Sequence, residues 1–147
     1  MKALLGIALL VGLLLVALQS AVFGFFGSKY NYITAEETAE LIRTAPESIV
    51  LVDIQEKEGF DKEHLKGAID TYAYPVKTDK DKAGIAALIP NIKPNQKVIV
   101  ICPRGGGGAD RAYDFIVESG INKDMVFTLK KGQEGWPRDK ISDVLVR

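Results

Sequence analysis

The sequence predicts a single doubly wound α/β domain: a parallel sheet of about five strands with helices on both faces. Short apolar runs alternate along the chain with helix-length segments, as expected when crossover helices join parallel strands. The runs 49–54 and 98–101 are apolar at almost every position, a pattern typical of strands buried on both faces of a sheet. The chain has 147 residues, which suits one domain with an appendage.

The appendage is the N-terminal segment 1–28, predicted to be a signal peptide or a transmembrane anchor. Residues 3–18 are apolar, and the apolar pattern resumes at 21–26, which approaches the ~20 residues that a membrane span needs. The run is longer than a usual signal-peptide core and lacks a clear A-x-A cleavage site, which favours an uncleaved anchor. No cysteine follows it to carry a lipid. Lys2 favours a cytoplasmic N terminus, so the domain 29–147 is expected to be exported, membrane-anchored or periplasmic.

The predicted helices follow from capping and periodicity. Thr34 and Glu37 have the spacing of a capping box, which opens a helix that runs to about residue 45. The charged stretch 77–82 is interpreted as a solvated loop or a helix start. Two further helices are predicted at residues 83–89 and from about residue 109 to Gly120, a residue that suits the end of a helix.

The remaining strands are shorter than the two buried runs. They are predicted near residues 68–72 and at residues 126–129.

Composition excludes several function classes. The formal net charge is zero, so the chain lacks the excess of basic residues typical of a nucleic-acid binder. One cysteine cannot form an internal disulfide, and one cysteine with one histidine argues against a zinc site, which usually needs three or four ligands. We expect no metal and no other cofactor.

The predicted chemical centre is Cys102, at the carboxyl end of the apolar run 98–101. The loop that follows consists of Pro103, Arg104, Gly105, Gly106, Gly107 and Gly108. Ligands of doubly wound sheets bind beyond the carboxyl ends of the strands. Glycines allow backbone N–H groups to converge on an anion, and the following helix adds the positive end of its dipole. The same features are expected to lower the pKa of the thiol and favour the nucleophilic thiolate.

The loop has two other interpretations. A cysteine at a strand end can be a small buried core residue without chemistry. A glycine-rich loop can also hold a nucleotide phosphate, but the loop lacks the Gly-Lys-Ser/Thr ending of a P-loop. It also comes too late in the chain, with the wrong spacing, for a dinucleotide fingerprint.

Three patches, in order and spacing, resemble the rhodanese-like sulfurtransferases. The first is Val52-Asp53-Ile54-Gln55; the second is Phe60 with His64-Leu65-Lys66-Gly67-Ala68-Ile69; the third is Cys102-Pro103-Arg104-Gly105, with Ala112, Gly120, Leu129-Lys130-Lys131-Gly132 and Trp136. The resemblance covers almost all of the segment 29–147, from about Tyr32 to Trp136.

The resemblance implies that Cys102 forms a persulfide and that the loop after it cradles the transferred group. The implied function is movement of sulfane sulfur from a small anionic donor to a thiol or cyanide, or to an acceptor protein. It also implies a structural role for His64, and we interpret Asp53 as a hydrogen-bonded support and Trp136 as core packing. The open alternative is a weak or inactive module that binds sulfur, an anion or a partner.

Two positions depart from the family pattern. The family often has arginine where this chain has Gln55, and arginine at the last loop position, where Gly107 stands. We expect Arg104 to supply the missing loop charge and Arg111 to face solvent. A phosphatase of related architecture would need C-x5-R, and the position of that arginine is taken by Gly108.

Overall fold

The computed structural model describes residues 29–147, and the predicted signal peptide or anchor, residues 1–28, lies outside the described residues. No helix within 29–147 has both the length and the apolar character that a membrane span requires.

The described elements alternate between strands and helices. The strands are β1 (Tyr32–Ile33), β2 (Ile49–Asp53), β3 (His64–Leu65), β4 (Ile69–Asp70), β5 (Lys97–Ile101), β6 (Val126–Leu129) and β7 (Leu145–Val146). The α-helices are α1 (Ala35–Thr44), α2 (Lys57–Lys62), α3 (Asp79–Leu88) and α4 (Gly107–Glu118). Short 3-10 helices occupy Pro46–Ser48, Ile89–Asn91 and Lys123–Met125.

Five strands form one parallel sheet in the order β1-β6-β5-β2-β4. This confirms the predicted parallel α/β sheet of about five strands. Strands β3 and β7 form a separate antiparallel pair, in which His64 lies opposite Val146. The sequence analysis did not predict β1, β3 or β7, which are only two residues long.

Helices cover both faces of the sheet, as predicted. One apolar core joins β5 to α3 and α4 and contains Ile85, Val100 and Ile116. The other core lies on the opposite face, where α1 contributes Ala39 and where Trp136 is buried. Since apolar burial is the main favourable term in folding, these two layers fix the position of the sheet's carboxyl edge.

Capping explains where the helices begin. Thr34 and Glu37 form the predicted capping box of α1, with both hydrogen bonds 3.1 Å long. A second capping box, formed by Thr78 and Asp81, starts α3 at Asp79, four residues before the predicted start. The charged stretch is therefore the first turn of a helix, one of the two interpretations considered.

Candidate functional site

Cys102 lies immediately after β5, at the centre of the carboxyl edge of the sheet. Only 1% of the residue is exposed, and its Sγ accepts a hydrogen bond from the backbone N–H of Gly105 at 2.6 Å. Gly105 has a φ of +77°, a left-handed conformation that side chains rarely adopt, and this turn aims its N–H at the sulfur. The loop therefore curls around Cys102, as the glycine pattern predicted.

The loop is fixed by a second turn that packs directly beneath it. The Gln133 N–H donates to the Cys102 carbonyl at 2.7 Å, and the Glu134 N–H donates to the Pro103 carbonyl at 2.9 Å. Gly132 has a φ of +64°, and a Cβ built on it would stand 2.4 Å from the Cys102 carbonyl oxygen. The two backbones are thus in contact, and a glycine is required at position 132 for this approach.

Burial and the loop act on the Cys102 thiol in opposite directions. Burial raises the pKa of Cys102 above its ordinary value, and the backbone N–H groups of Gly105, Arg104 and Gly106 lower it by a smaller amount. The prediction that the loop lowers the pKa of the free thiol overall is therefore wrong, although the N–H groups act in the predicted direction. Burial thus favours the protonated thiol, while the N–H groups of the loop favour an anion on the sulfur.

Helix α4 starts inside the glycine run, at Gly107, two residues earlier than predicted. Gly108 is buried, and a Cβ at this position would lie 2.8 Å from the ring of Tyr74. The aromatic ring therefore occupies the space in which a side chain at position 108 would begin.

The two arginines near the loop are placed differently from the prediction. The Arg104 side chain is 82% exposed and forms an ion pair with Glu134, with Nε 3.2 Å from a carboxylate oxygen. Arg111 is partly buried, and its Nε donates to the Pro75 carbonyl at 2.9 Å. One terminal nitrogen of Arg111 lies 3.1 Å from where the Cβ of residue 107 would stand. The prediction that Arg111 faces solvent is therefore wrong.

A groove of about 960 Å³ runs beside the loop. Its walls come from the segment around α2, from the loop after Cys102 and from the turn beneath that loop. The lining residues include Gln55, Gly59, Tyr74, Pro103, Arg104, Gln133 and Arg138.

Glu63 links several side chains in one wall of this groove through hydrogen bonds. Its carboxylate accepts hydrogen bonds from Arg138 (2.9 and 3.2 Å), Arg147 (3.2 Å) and Gln133 (3.0 Å). The Arg138 guanidinium is the main cause that lowers the pKa of Glu63 to about 2. Gln133 donates its amide to Glu63, while its Oε1 is buried without a hydrogen-bond partner among the described residues. A chain of polar contacts thus joins Glu63 to the backbone of Cys102.

Asp53 lies at the end of β2, next to β5, and is fully buried. It accepts hydrogen bonds from the Gln55 backbone N–H at 2.9 Å and from the Gln55 side-chain amide at 3.1 Å. Gln55, where the family often has arginine, also donates to the Glu63 carbonyl at 3.2 Å. Asp53 therefore supports the loop between β2 and α2, and its contacts suit the supporting role assigned to it from the sequence.

Burial raises the pKa of Asp53 to about 6, so the folded state binds a proton that the unfolded chain holds only below about pH 3.8. The stability that this protonation gives is complete below pH 3.8 and is lost as the pH rises through about 6. Asp53→Asn, which is neutral at every pH, should remove this dependence. We expect the stability of the wild type relative to Asp53→Asn, measured as the difference between their unfolding free energies, to fall by roughly 2–3 kcal/mol between pH 4 and pH 7. Urea denaturation of both proteins at several pH values measures it; a difference that does not change with pH would contradict it.

His64 is held by structural contacts. Its Nδ1 lies 2.8 Å from the Phe60 carbonyl oxygen, and its ring stacks on that of Phe60 with the centroids 3.9 Å apart. Trp136 is 3% exposed, and its indole N–H donates to the Ile141 carbonyl at 2.7 Å, which agrees with the predicted role in core packing. Within residues 29–147, no group of three or more histidine, cysteine or carboxylate side chains converges to hold a metal ion.

Four side chains at the site were not singled out as site residues from the sequence: Tyr74, Arg111, Glu63 and Gln133. For Arg111 the sequence predicted a position facing solvent. Its contact with Pro75 joins residues 36 positions apart, and the hydrogen bond between Gln133 and Glu63 spans 70 positions. No local pattern encodes such contacts. The glycines at 107 and 108 were the available signal, since a Cβ at position 107 would meet Arg111, four residues later, and a Cβ at position 108 would meet the ring of Tyr74.

Comparison with known proteins supports the fold and the family. The chain is 27% identical over 128 residues to the uncharacterized protein YibN of Escherichia coli K12, covering 87% of this chain and 82% of that protein. A crystal structure of a Lactobacillus plantarum protein matches with a TM-score of 0.60 at 19% identity, covering 90% of this chain and 96% of that one.

Two further solved structures show the same fold in proteins for which other functions are described or suggested. The As-Sb reductase of Leishmania major matches with a TM-score of 0.63 at 17% identity, covering 80% of this chain and 85% of that one. A Rhodopseudomonas palustris protein of unknown function, described as a possible tyrosine phosphatase, matches with a TM-score of 0.53 at 18% identity, covering 76% and 81%. At these identities the likeness establishes the fold alone. Residues 34–139 match the family model described as the Rhodanese-like domain, and the chain therefore belongs to the rhodanese-like family.

Proposed function

We propose that this protein is a sulfurtransferase or persulfide carrier that moves sulfane sulfur through Cys102. The observation that carries the proposal is the hydrogen bond from the Gly105 N–H to the Cys102 sulfur, within a loop whose N–H groups favour an anion on that sulfur. The donor is a small anion such as thiosulfate, and the acceptor is cyanide, a small thiol or a thiol on another protein.

The proposed transfer has two displacement steps. The Cys102 thiolate attacks the outer sulfur of thiosulfate; a new S–S bond forms, the sulfur–sulfur bond of thiosulfate breaks, and sulfite leaves with the electron pair. An acceptor thiolate or cyanide then attacks the outer sulfur of the persulfide. The bond to the Cys102 sulfur breaks, and the thiolate is restored with its electron pair.

The loop has a defined role in these steps. Since burial raises the pKa of Cys102, the thiol must lose its proton before it attacks, and the N–H groups of Gly105, Arg104 and Gly106 partly offset the cost of a buried anion. In the persulfide the charge lies on the outer sulfur, where the loop from Pro103 to Gly108 surrounds it in this proposal. Asp53 is proposed to act only as a support of the neighbouring strand.

A location outside the cytoplasm, with residues 1–28 as an anchor or signal peptide, remains a prediction from the sequence. Attachment to a membrane through this segment is likewise a prediction from the sequence.

Phosphatase chemistry is a less suitable function for this site. A C-x5-R loop needs its arginine at position 108 to hold the phosphoryl oxygens. Gly108 provides no charge, and a side chain there would displace the Tyr74 ring, which stands 2.8 Å from the Cβ position. The remaining alternative is a domain that binds sulfur, an anion or a partner without turnover.

The test of the proposed function is intact-mass analysis of the purified protein after incubation with thiosulfate, 3-mercaptopyruvate or polysulfide. We expect the mass to rise by one sulfur atom with at least one donor, and cyanide to remove the added sulfur. Cys102→Ser should gain none, because the hydroxyl is a far weaker nucleophile than a thiolate. If no donor modifies the wild type, the protein is a binding or docking module and the sulfurtransferase proposal fails.

A further inference from the structure

The arginines of the chain differ in how their charges are neutralised. All five lie within residues 29–147, and four of them form ion pairs with a carboxylate: Arg43 with Asp143, Arg104 with Glu134, and Arg138 and Arg147 with Glu63. Among the described residues, no carboxylate lies within ion-pair distance of the fifth, Arg111. A partly buried guanidinium without a counter-charge is costly, which suggests that its partner is a ligand.

The position of Arg111 makes this cost larger. Arg111 lies on the second turn of α4, close to the positive end of the helix dipole, where a cation is destabilising. The Pro75 carbonyl accepts from its Nε at 2.9 Å and so fixes the direction of the guanidinium. The terminal nitrogens are directed toward Gly107, with one of them 3.1 Å from the Cβ position of that residue. The charge thus lies at the α4 end of the loop that begins with Cys102.

Gly107 is the residue that leaves room for this arrangement. Its φ is not in the left-handed region, so the backbone itself does not require glycine there. A side chain at position 107 would instead crowd the Arg111 guanidinium. Arg111, four residues later on the same helix, therefore brings its guanidinium next to position 107, where the family often has an arginine.

We propose that Arg111 binds the anionic group of the sulfur donor. This makes the site selective for donors such as thiosulfate, in which the atom bonded to the transferred sulfur carries anionic oxygens. The inference rests on the proposed function of Cys102 and adds the residue that selects the donor. When the outer sulfur of thiosulfate is attacked, the sulfonate oxygens accept hydrogen bonds from the free terminal nitrogens of Arg111. The same bonds stabilise the sulfite that leaves with the electron pair. Arg104 is less suited to this role, because it is 82% exposed and paired with Glu134.

The first experiment compares iodoacetate with iodoacetamide as alkylating agents of Cys102 in the full-length protein. Both lose iodide to the same thiolate, but only iodoacetate carries a negative charge. The ratio of the two rates therefore reports the attraction of an anion, and any change in the pKa of Cys102 cancels. We expect Arg111→Gln to lower the ratio by roughly ten- to a hundred-fold, which corresponds to the loss of one charged hydrogen bond. Arg111→Lys should keep part of it, and Arg43→Gln, which removes a distant charge, should leave it unchanged.

The second experiment moves the charge back to the loop. Gly107→Arg, combined with Arg111→Gln, places a guanidinium on position 107 and vacates the space that this side chain needs. We expect the double variant to recover the alkylation ratio and the rate of persulfide formation from thiosulfate. An iodoacetamide rate equal to that of the wild type shows that the loop still buries Cys102, because an exposed thiol would be alkylated faster.

The outcomes separate this inference from the proposed function. If the wild type forms a persulfide from thiosulfate and Arg111→Gln changes neither the rate nor the alkylation ratio, the role of Arg111 is overturned and sulfur transfer stands. A larger loss from Arg104→Gln than from Arg111→Gln also overturns it. If the wild type forms no persulfide with any donor but Arg111→Gln lowers the alkylation ratio, sulfur transfer fails and the anion site at Arg111 stands.

Discussion

We expect Gly132→Ala to cost on the order of 3–5 kcal/mol of unfolding free energy and to displace the loop around Cys102. Two effects add. The residue has a φ of +64°, which costs an alanine roughly 1–2 kcal/mol. The new Cβ would also stand 2.4 Å from the Cys102 carbonyl oxygen and 2.7 Å from the Arg104 nitrogen. Both are backbone atoms of the loop around Cys102, so they cannot move aside as a flexible side chain would.

Gly67→Ala is the matched control for this substitution. Gly67 also has a positive φ, +82°, but nothing lies within 4 Å of its Cβ position. This variant should lose only the roughly 1–2 kcal/mol of backbone strain and should keep the reactivity of Cys102. Urea denaturation and the rate of Cys102 alkylation measure both effects. Equal losses of stability in the two variants, with unchanged alkylation, would show that the contact between Gly132 and the loop is unimportant.

Glu63→Gln should produce the second large effect, a loss of about 2–3 kcal/mol at neutral pH. The Glu63 side chain is only 12% exposed, and its carboxylate accepts from two guanidinium groups and the Gln133 amide. A glutamine keeps the size but replaces one acceptor oxygen with a donor, which opposes the arginine donors. Because Gln133 also holds the Cys102 carbonyl through its backbone N–H, the loop should become more mobile as well.

The pH dependence gives this prediction a second measurement. The folded pKa of Glu63 is about 2, below its ordinary value of 4.5, so its contribution is complete above about pH 4.5 and is lost as the pH falls toward 2. The stability difference between the wild type and Glu63→Gln should therefore shrink in acid. Glu134→Gln is the control, because Glu134 pairs with Arg104 at the surface with 61% of its side chain exposed, and should cost no more than about 1 kcal/mol. A difference that persists unchanged at pH 2 would contradict the assignment.

The sheet could be predicted from the sequence because its central strands have a recognisable local pattern. Residues of β2 and β5 are apolar at consecutive positions, and the capping box of α1 lies within four residues. The pairs β1–β6 and β3–β7 could not be predicted in this way, because each has a member only two residues long and depends on a distant partner. Two residues are too short to show an alternation of apolar and polar side chains.

The sequence predicted the cysteine and the glycine loop of the candidate site, but not the positions of the charged side chains around them. The glycines after Cys102 indicate a tight loop, and the structure has that loop. The sequence could not show which of Arg104 and Arg111 faces solvent, since the position of Arg104 depends on Glu134 and that of Arg111 on the Pro75 carbonyl. Nor does a glycine pattern reveal how deeply the sulfur is buried, and it is burial that raises the pKa of Cys102.

The contact between Tyr74 and Gly108 makes the two positions epistatic. An arginine at position 108, which would complete C-x5-R, collides with the aromatic ring unless Tyr74 swings outward or is replaced by a smaller residue. Such an arginine would therefore be harmful as long as the ring stays in place, and a smaller residue at position 74 would make it easier to accommodate. Loss of the Tyr74 ring would therefore ease an evolutionary path from this loop to one that binds phosphoryl oxygens, because the ring stands where the side chain of such an arginine begins.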